Sequence, residues 1–232
     1  MKLKSLLSLI LVTAVVGFSS LGLLKYALAA WDYAQNFDAL TDGDLVGQDS
    51  WTGSADRDVG TTQAQSGTKS VEIVGTPSVG IIERDFTAIT DTGRFSFYVR
   101  ASANNVGDIF DFEDGSANSA FLIGLGWNTN GQITHLPGGS TTNIQAYAND
   151  TWIKIEFEFD VSTDTYVYSI DDAADSSSQG FIATRTQLSH VQIRNHNAAN
   201  FFFDTIADED GGGAAAVAED ILYTPTWYFN EF

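Results

Sequence analysis

The sequence predicts an all-β fold, an antiparallel β-sandwich of jelly-roll type. Three observations carry that prediction. Short segments with apolar–polar alternation recur along the chain, the mark of half-buried strands. Clusters of Gly, Asn, Asp and Ser separate them and supply turn chemistry. Nothing after residue 30 has the apolar period of a long amphipathic helix.

The strands follow in order. "KSVEIVG" (69–75), "GIIERDFTAI" (80–89) and "RFSFYVRAS" (94–102) form the first group. "DIFDFED" (108–114), "AFLIGLGW" (120–127) and "GQITHL" (131–136) follow, parted by "EDGSANS" and "NTNG". "TWIKIEFEFDV" (151–161) and "TYVYSID" (165–171) flank the turn "DVSTD". "SHVQIRN" (189–195) and "NFFFDTIA" (200–207) close the series around "NAAN". In the longest strand Ile153, Ile155, Phe157, Phe159 and Val161 share one face, and Lys154, Glu156, Glu158 and Asp160 the other. Side chains alternate across a strand, so the first set is core and the second meets water. By the same parity Phe110 and Phe112 point one way, while Asp111 and Glu113 stand side by side on an exposed face.

The ends read differently. Lys2 and Lys4 precede an apolar run from Leu6 to Leu24, and Ala27-Leu28-Ala29 follows. A basic start, an apolar middle and an A-x-A end make residues 1–29 a secretory signal peptide. An uncleaved anchor is the alternative, since about 20 apolar residues span a bilayer. The sandwich then occupies residues 30–207, "DEDGGGAAAVAED" (208–220) is a linker, and "ILYTPTWYFNEF" (221–232) is an aromatic tail strand. The expected location is secreted, extracellular or on the cell surface, with no membrane contact after cleavage.

Composition narrows the chemistry. There is no Cys, so disulfides, thiolate metal sites and lipid-modified cysteine anchors are excluded. The chain has 11 basic and 30 acidic side chains. Three lysines lie in the leader, so residues 30–232 carry 8 against 30, a net charge of −22. Such a surface repels nucleic acid and anionic membrane, and it favours divalent cations.

Together the stretches "NFDALTDGDLVGQDSWTGS", "SGTKSVEI", "FSFYVRAS", "FDFEDGSANSAFLIGLGWNTNGQI" and "NDTWIKIEFEFDVSTDTYVYSIDD" resemble the concanavalin A-like (laminin-G-like) jelly roll of lectins and glucanases. The resemblance covers roughly residues 32–207. It implies a sandwich that binds glycan or, in some members, cleaves it. It also implies a structural Ca²⁺ where the first and last strands meet, which points to Asp38 and Asp204 as ligands.

Catalysis has weak support in the residues. Glucanases of this fold place acids at E-x-D-x-(x)-E, and "DIFDFED" offers only Asp111 and Glu113 on one face, with Ile109 where a third acid would stand. "QITH" resembles a lyase Q-I-H element, but Thr134 moves His135 to the other face. Glycan binding needs less: a ring to stack on a sugar and planar polar groups beside it. Tyr98 and Arg100 share a face, Asp111 and Glu113 share the next, and Trp127 ends the strand after. If these coincide they form one concave site, to which Trp51 could add a ring. The competing reading has Trp127 closing the core and Trp51 lying over it.

The expected function is therefore a non-catalytic secreted sandwich that binds carbohydrate or a surface partner. A self-assembling filament or matrix subunit, joined through the tail by strand exchange, is the structural alternative. A polysaccharide-degrading glycosidase or lyase is the enzymatic one. Sequencing the N-terminus of exported protein tests the leader: the first residue should be Ala30 or Trp31, and an intact Met1 would mark an anchor.

Overall fold

The structure is a computed structural model that describes residues 33–54, 57–74, 80–104, 108–115, 123–128, 130–135, 142–195 and 200–207. The expected leader, linker and aromatic tail lie outside the described residues. The strands are β1 (Gly43–Asp44), β2 (Thr52–Gly53), β3 (Arg57–Gly60), β4 (Ser70–Ile73), β5 (Gly80–Ile89), β6 (Thr92–Ala101), β7 (Asp108–Glu113) and β8 (Ile123–Trp127). Then come β9 (Gln132–His135), β10 (Thr142–Ala146), β11 (Ile153–Asp160), β12 (Thr165–Ile170), β13 (Gln179–Gly180), β14 (Leu188–Asn195) and β15 (Phe201–Ala207).

The strands form two antiparallel sheets. One has the order β1-β3-β4-β15-β6-β11-β12-β13, the other β10-β9-β8-β7-β14-β5-β2. The late strands β14 and β15 insert centrally, β14 between β7 and β5 and β15 between β4 and β6. Chain neighbours are thus separated in space, as jelly-roll topology requires.

The core is aromatic. Phe95 and Phe97 of β6 and Phe157 and Phe159 of β11 point inward from the eight-stranded sheet, all at most 2% exposed. Phe112 of the facing sheet packs against Phe95, with ring centroids 4.1 Å apart. Ile153, Ile155 and Val161 are also buried, as the alternation of the longest strand predicts. Gly93 lies directly opposite Phe159, and a Cβ there would sit 2.5 Å from the Phe159 ring. Glycine lets that ring lie over the neighbouring backbone.

One residue of the expected wet face departs from it. Glu156 is only 8% exposed because Arg94 and Lys154 close over it as an ion-paired group. Glu158 has the exposure that the alternation predicts. At the β11–β12 turn, Asp160 Oδ1 accepts from the Ser162 and Thr163 amides, an Asx turn that reverses the chain.

Truncating Phe157 or Phe159 to Ala should lower unfolding free energy by about 3–5 kcal/mol, measured by denaturant titration. Glu158→Gln should be within about 0.5 kcal/mol of wild type, as surface changes usually are. Glu156→Gln should cost more than Glu158→Gln, since it weakens a half-buried ion-paired cluster. Equal losses at Phe157 and Glu158 would contradict the register.

Candidate functional site

The seven-stranded sheet carries a polar strip on its outer face. Phe112 is in the core, so its neighbours Asp111 and Glu113 point outward. Strand β14 lies beside β7, with Gln192 opposite Asp111 and His190 opposite Glu113. Val191 and Ile193 are buried, so His190, Gln192 and Arg194 take the outer face. Strand β5 continues the rows, with Glu83 opposite Gln192 and Asp85 opposite His190. On the other side of β7 the register sets Gly124 against Asp111.

The strip has a deep end and an open end. Asp111 is fully buried and its Oδ2 is ion-paired with Arg194. Its Oδ1 has no hydrogen-bond partner among the described residues. Glu113 is 8% exposed. At the open end the Asp85 side chain is 83% exposed and sits 2.7 Å from His190 Nδ1. Glu83 lies 3.6 Å from His190 Nε2 and accepts from Gln192 Nε2 at 3.2 Å. Burial pushes the Asp111 carboxyl up to about 7, and Glu113 adds to the rise, against the lowering pull of Arg194. A carboxyl so placed changes its charge near neutral pH.

This placement corrects the expectation for Asp111 and Glu113. They share an outer face, but both are buried instead of exposed. The expected composite site is not assembled either. Tyr98 and Arg100 stand on β6, in the other sheet, and face outward on the opposite side of the molecule. Arg100 is held there by Asp150 at 2.6 Å and lies over the Phe202 ring, 5.2 Å from its centroid. Trp127 is 2% exposed and packs edge-on against Phe201 at 5.1 Å. Trp51 is fully buried, 5.9 Å from the Phe203 ring, and its Nε1 donates to the Tyr33 hydroxyl. Both tryptophans are core residues, closed to a sugar.

Asp38 and Asp204 do come near each other, through a shared loop. Asp38 Oδ1 accepts from the Thr68 and Lys69 amides. Those bonds, chiefly from Thr68, hold its carboxyl below the ordinary range. Asp204 Oδ2 accepts from the Gln65 and Ser66 amides, and Oδ1 from the Thr205 amide. Burial raises the Asp204 carboxyl in spite of these bonds. Gly67, at φ +61°, is wrapped so closely that a Cβ would lie 1.9 Å from Asp38 Oδ2. Backbone amides thus occupy Asp38 Oδ1 and both oxygens of Asp204. No group of three or more His, Asp or Glu among the described residues is placed to hold a metal ion.

His135 is buried in the interior, edge-on to Tyr168 at 5.1 Å, and burial lowers its basicity. The residues missed at the site are Glu83, Asp85, His190, Gln192 and Arg194. Their signal was the alternation in "SHVQIRN" and "IIERD". What the alternation lacks is the pairing of β14 between β7 and β5, which makes one surface of them.

No protein-family model matches the chain, and no curated protein matches its sequence. Solved structures do. A sialidase matches at 15% identity with a TM-score of 0.56, over 74% of this chain and 18% of its own. Cellulose induced protein Cip1 matches at 15% identity and TM-score 0.52, over 75% of this chain and 95% of its own. A third is a structure of botulinum neurotoxin type C, whose cell entry is dependent upon interaction with two ganglioside molecules. It matches at 10% identity and TM-score 0.52, over 76% of this chain and 47% of its own. This chain spans less than a fifth of the sialidase and about half of the neurotoxin chain. At these identities the likeness is one of fold, the jelly-roll sandwich that the sequence resembles.

The raised carboxyl has a consequence for stability. Folded Asp111 holds its proton up to about pH 7, whereas an unfolded Asp releases it near pH 3.8. The folded form therefore binds more protons across that window, and its stability falls as pH rises from about 4 to about 7. In Asp111→Asn that part of the slope should vanish, measured by urea unfolding at a series of pH values. An unchanged slope would place the carboxyl in an ordinary state.

Proposed function

We propose that the chain is an exported glycan-binding protein whose ligand lies along the outer strip of the seven-stranded sheet. The observation that carries this reading is the row of planar polar side chains, Gln192, Glu83, His190 and Asp85, that adjacent strands set side by side on the outer face. They offer the mixed donors and acceptors that sugar hydroxyls engage. The fold supports the same reading, since structures sharing it include a sialidase and a toxin dependent on gangliosides.

An enzymatic reading is favoured by one observation, the raised carboxyl of Asp111 with Glu113 two residues along on the same face. A carboxylic acid kept protonated near neutrality beside a second carboxylate is the pairing that glycoside hydrolysis uses. Release of reducing sugar from a polysaccharide, abolished in Asp111→Asn, would establish it over binding alone.

A glycan array probed with the exported protein tests binding. Gln192→Ala should weaken a hit about tenfold, about 1.4 kcal/mol, with folding intact. Tyr98→Ala, on the far sheet, should change nothing. Loss of binding in Tyr98→Ala and none in Gln192→Ala would move the site to the other face.

A further inference from the structure

A cleft of about 340 Å³ opens at the β5 end of the strip, lined by Tyr33, Arg84, Asp85, Phe86 and Thr87. Its origin is a break in the β5–β14 ladder. Asp85 pairs with His190 and Ile89 with Leu188, so Phe86, Thr87 and Ala88 face the single residue Ser189. A bulge of this kind re-aims side chains. Here it turns the half-buried Phe86 and the exposed Thr87 into the wall of the cleft.

The floor is rigid. The Arg84 guanidinium lies 3.5 Å over the Tyr33 ring, and its Nε donates to the Asp49 carbonyl at 2.8 Å. The Tyr33 hydroxyl donates to Asp49 Oδ2 at 2.8 Å and accepts from Trp51 Nε1 at 3.0 Å. Asp85 lines the cleft and also pairs with His190, so cleft and strip are continuous. From Arg194 to His190 the strip runs four residues along β14, about 13 Å, with Asp85 one strand further on, farther than one sugar ring reaches.

Charge selects the ligand. Besides Asp111, strip and cleft together hold Asp49, Glu83, Asp85 and Glu113. Arg194 contacts Asp111, Arg84 faces Asp49, and His190 lies between Glu83 and Asp85. Each basic side chain of this surface is already held by an acidic one. An added anion would meet several carboxylates with little counter-charge.

Resting on the glycan reading above, we infer that the cleft is a second subsite of the same site. The ligand is a neutral oligosaccharide of several sugars, one end in the strip on Arg194 and Gln192, the other stacked on Phe86 with hydroxyls on Asp85 and Thr87. Acidic glycans are excluded, although the like-folded structures include a sialidase and a ganglioside-dependent toxin.

Isothermal titration with neutral β-glucan oligosaccharides of two to six sugars, and with the same chains oxidised to uronic acids, tests this. Affinity should rise at least tenfold from the disaccharide to the tetrasaccharide, and the oxidised chains should bind at least tenfold more weakly. Thr87→Met, an exposed position, should fill the cleft and remove the length gain, with the fold intact by circular dichroism. Equal affinity at all lengths, a gain that survives Thr87→Met, or preference for the oxidised chains overturns the subsite while the strip still binds. No binding at any length, or binding indifferent to Gln192→Ala, overturns the strip and the subsite together.

Discussion

The contact on which the arrangement depends is Phe95 against Phe112, the ring of one sheet seated on the ring of the other at 4.1 Å. A chain without cysteine has no disulfide to align its sheets, so packing must do it. Phe95 also lies 5.2 Å from Phe157 and 5.9 Å from Phe159, which ties β6 to β11 in the same cluster. With Phe112 locked inward, the period of two forces Asp111 and Glu113 outward. A slip of one residue would reverse every side chain of β7 and bury both acids among phenylalanines. The hydrophobic seam therefore sets the polar face as well as the core.

The polar face is shaped by where its strands lie. Strands β7 and β14 are central in the seven-stranded sheet, and their outward groups are largely withdrawn from water. Strand β5 lies next to the sheet edge, and its Asp85 is open. A gradient from buried to exposed results, with the Asp111–Arg194 pair at the buried end. Removing one partner of a buried pair is costlier than the pair is beneficial, so such a pair is weak support for stability alone.

Much of the fold was legible in the sequence. The ten segments with alternation are the sites of ten strands, because a half-buried strand writes its two faces directly into the chain. The strands without that signal are β1, β2, β3, β10 and β13, each of two to five residues and mostly at sheet edges. Four of these strands bury no residue and β3 buries two, too few to make a period. The site was less legible. Trp51 and Trp127 looked like platforms because aromatic residues serve both core and binding, and only Phe203 and Phe201 packing on them decides which. Tyr98 and Asp111 lie 13 positions apart, yet adjacent strands in sequence belong to different sheets here. Arg194 reaches Asp111 across 83 positions, a distance that no local pattern spans. Asp38 and Asp204 were expected as cation ligands only through the resemblance, from where the first and last strands meet. Their surroundings are backbone amides, which sequence does not display.

The central claim is that the outer face of the seven-stranded sheet, and not that of its partner, receives the ligand. Amide NMR of the labelled protein, titrated with an oligosaccharide hit from an array, tests it most directly. The account predicts that the largest shifts fall on the Gln192 side-chain amide, the Arg194 guanidinium and the Glu83 and Asp85 backbone. Shifts concentrated at Tyr98, Arg100 and Asp150, with β14 unmoved, would contradict it.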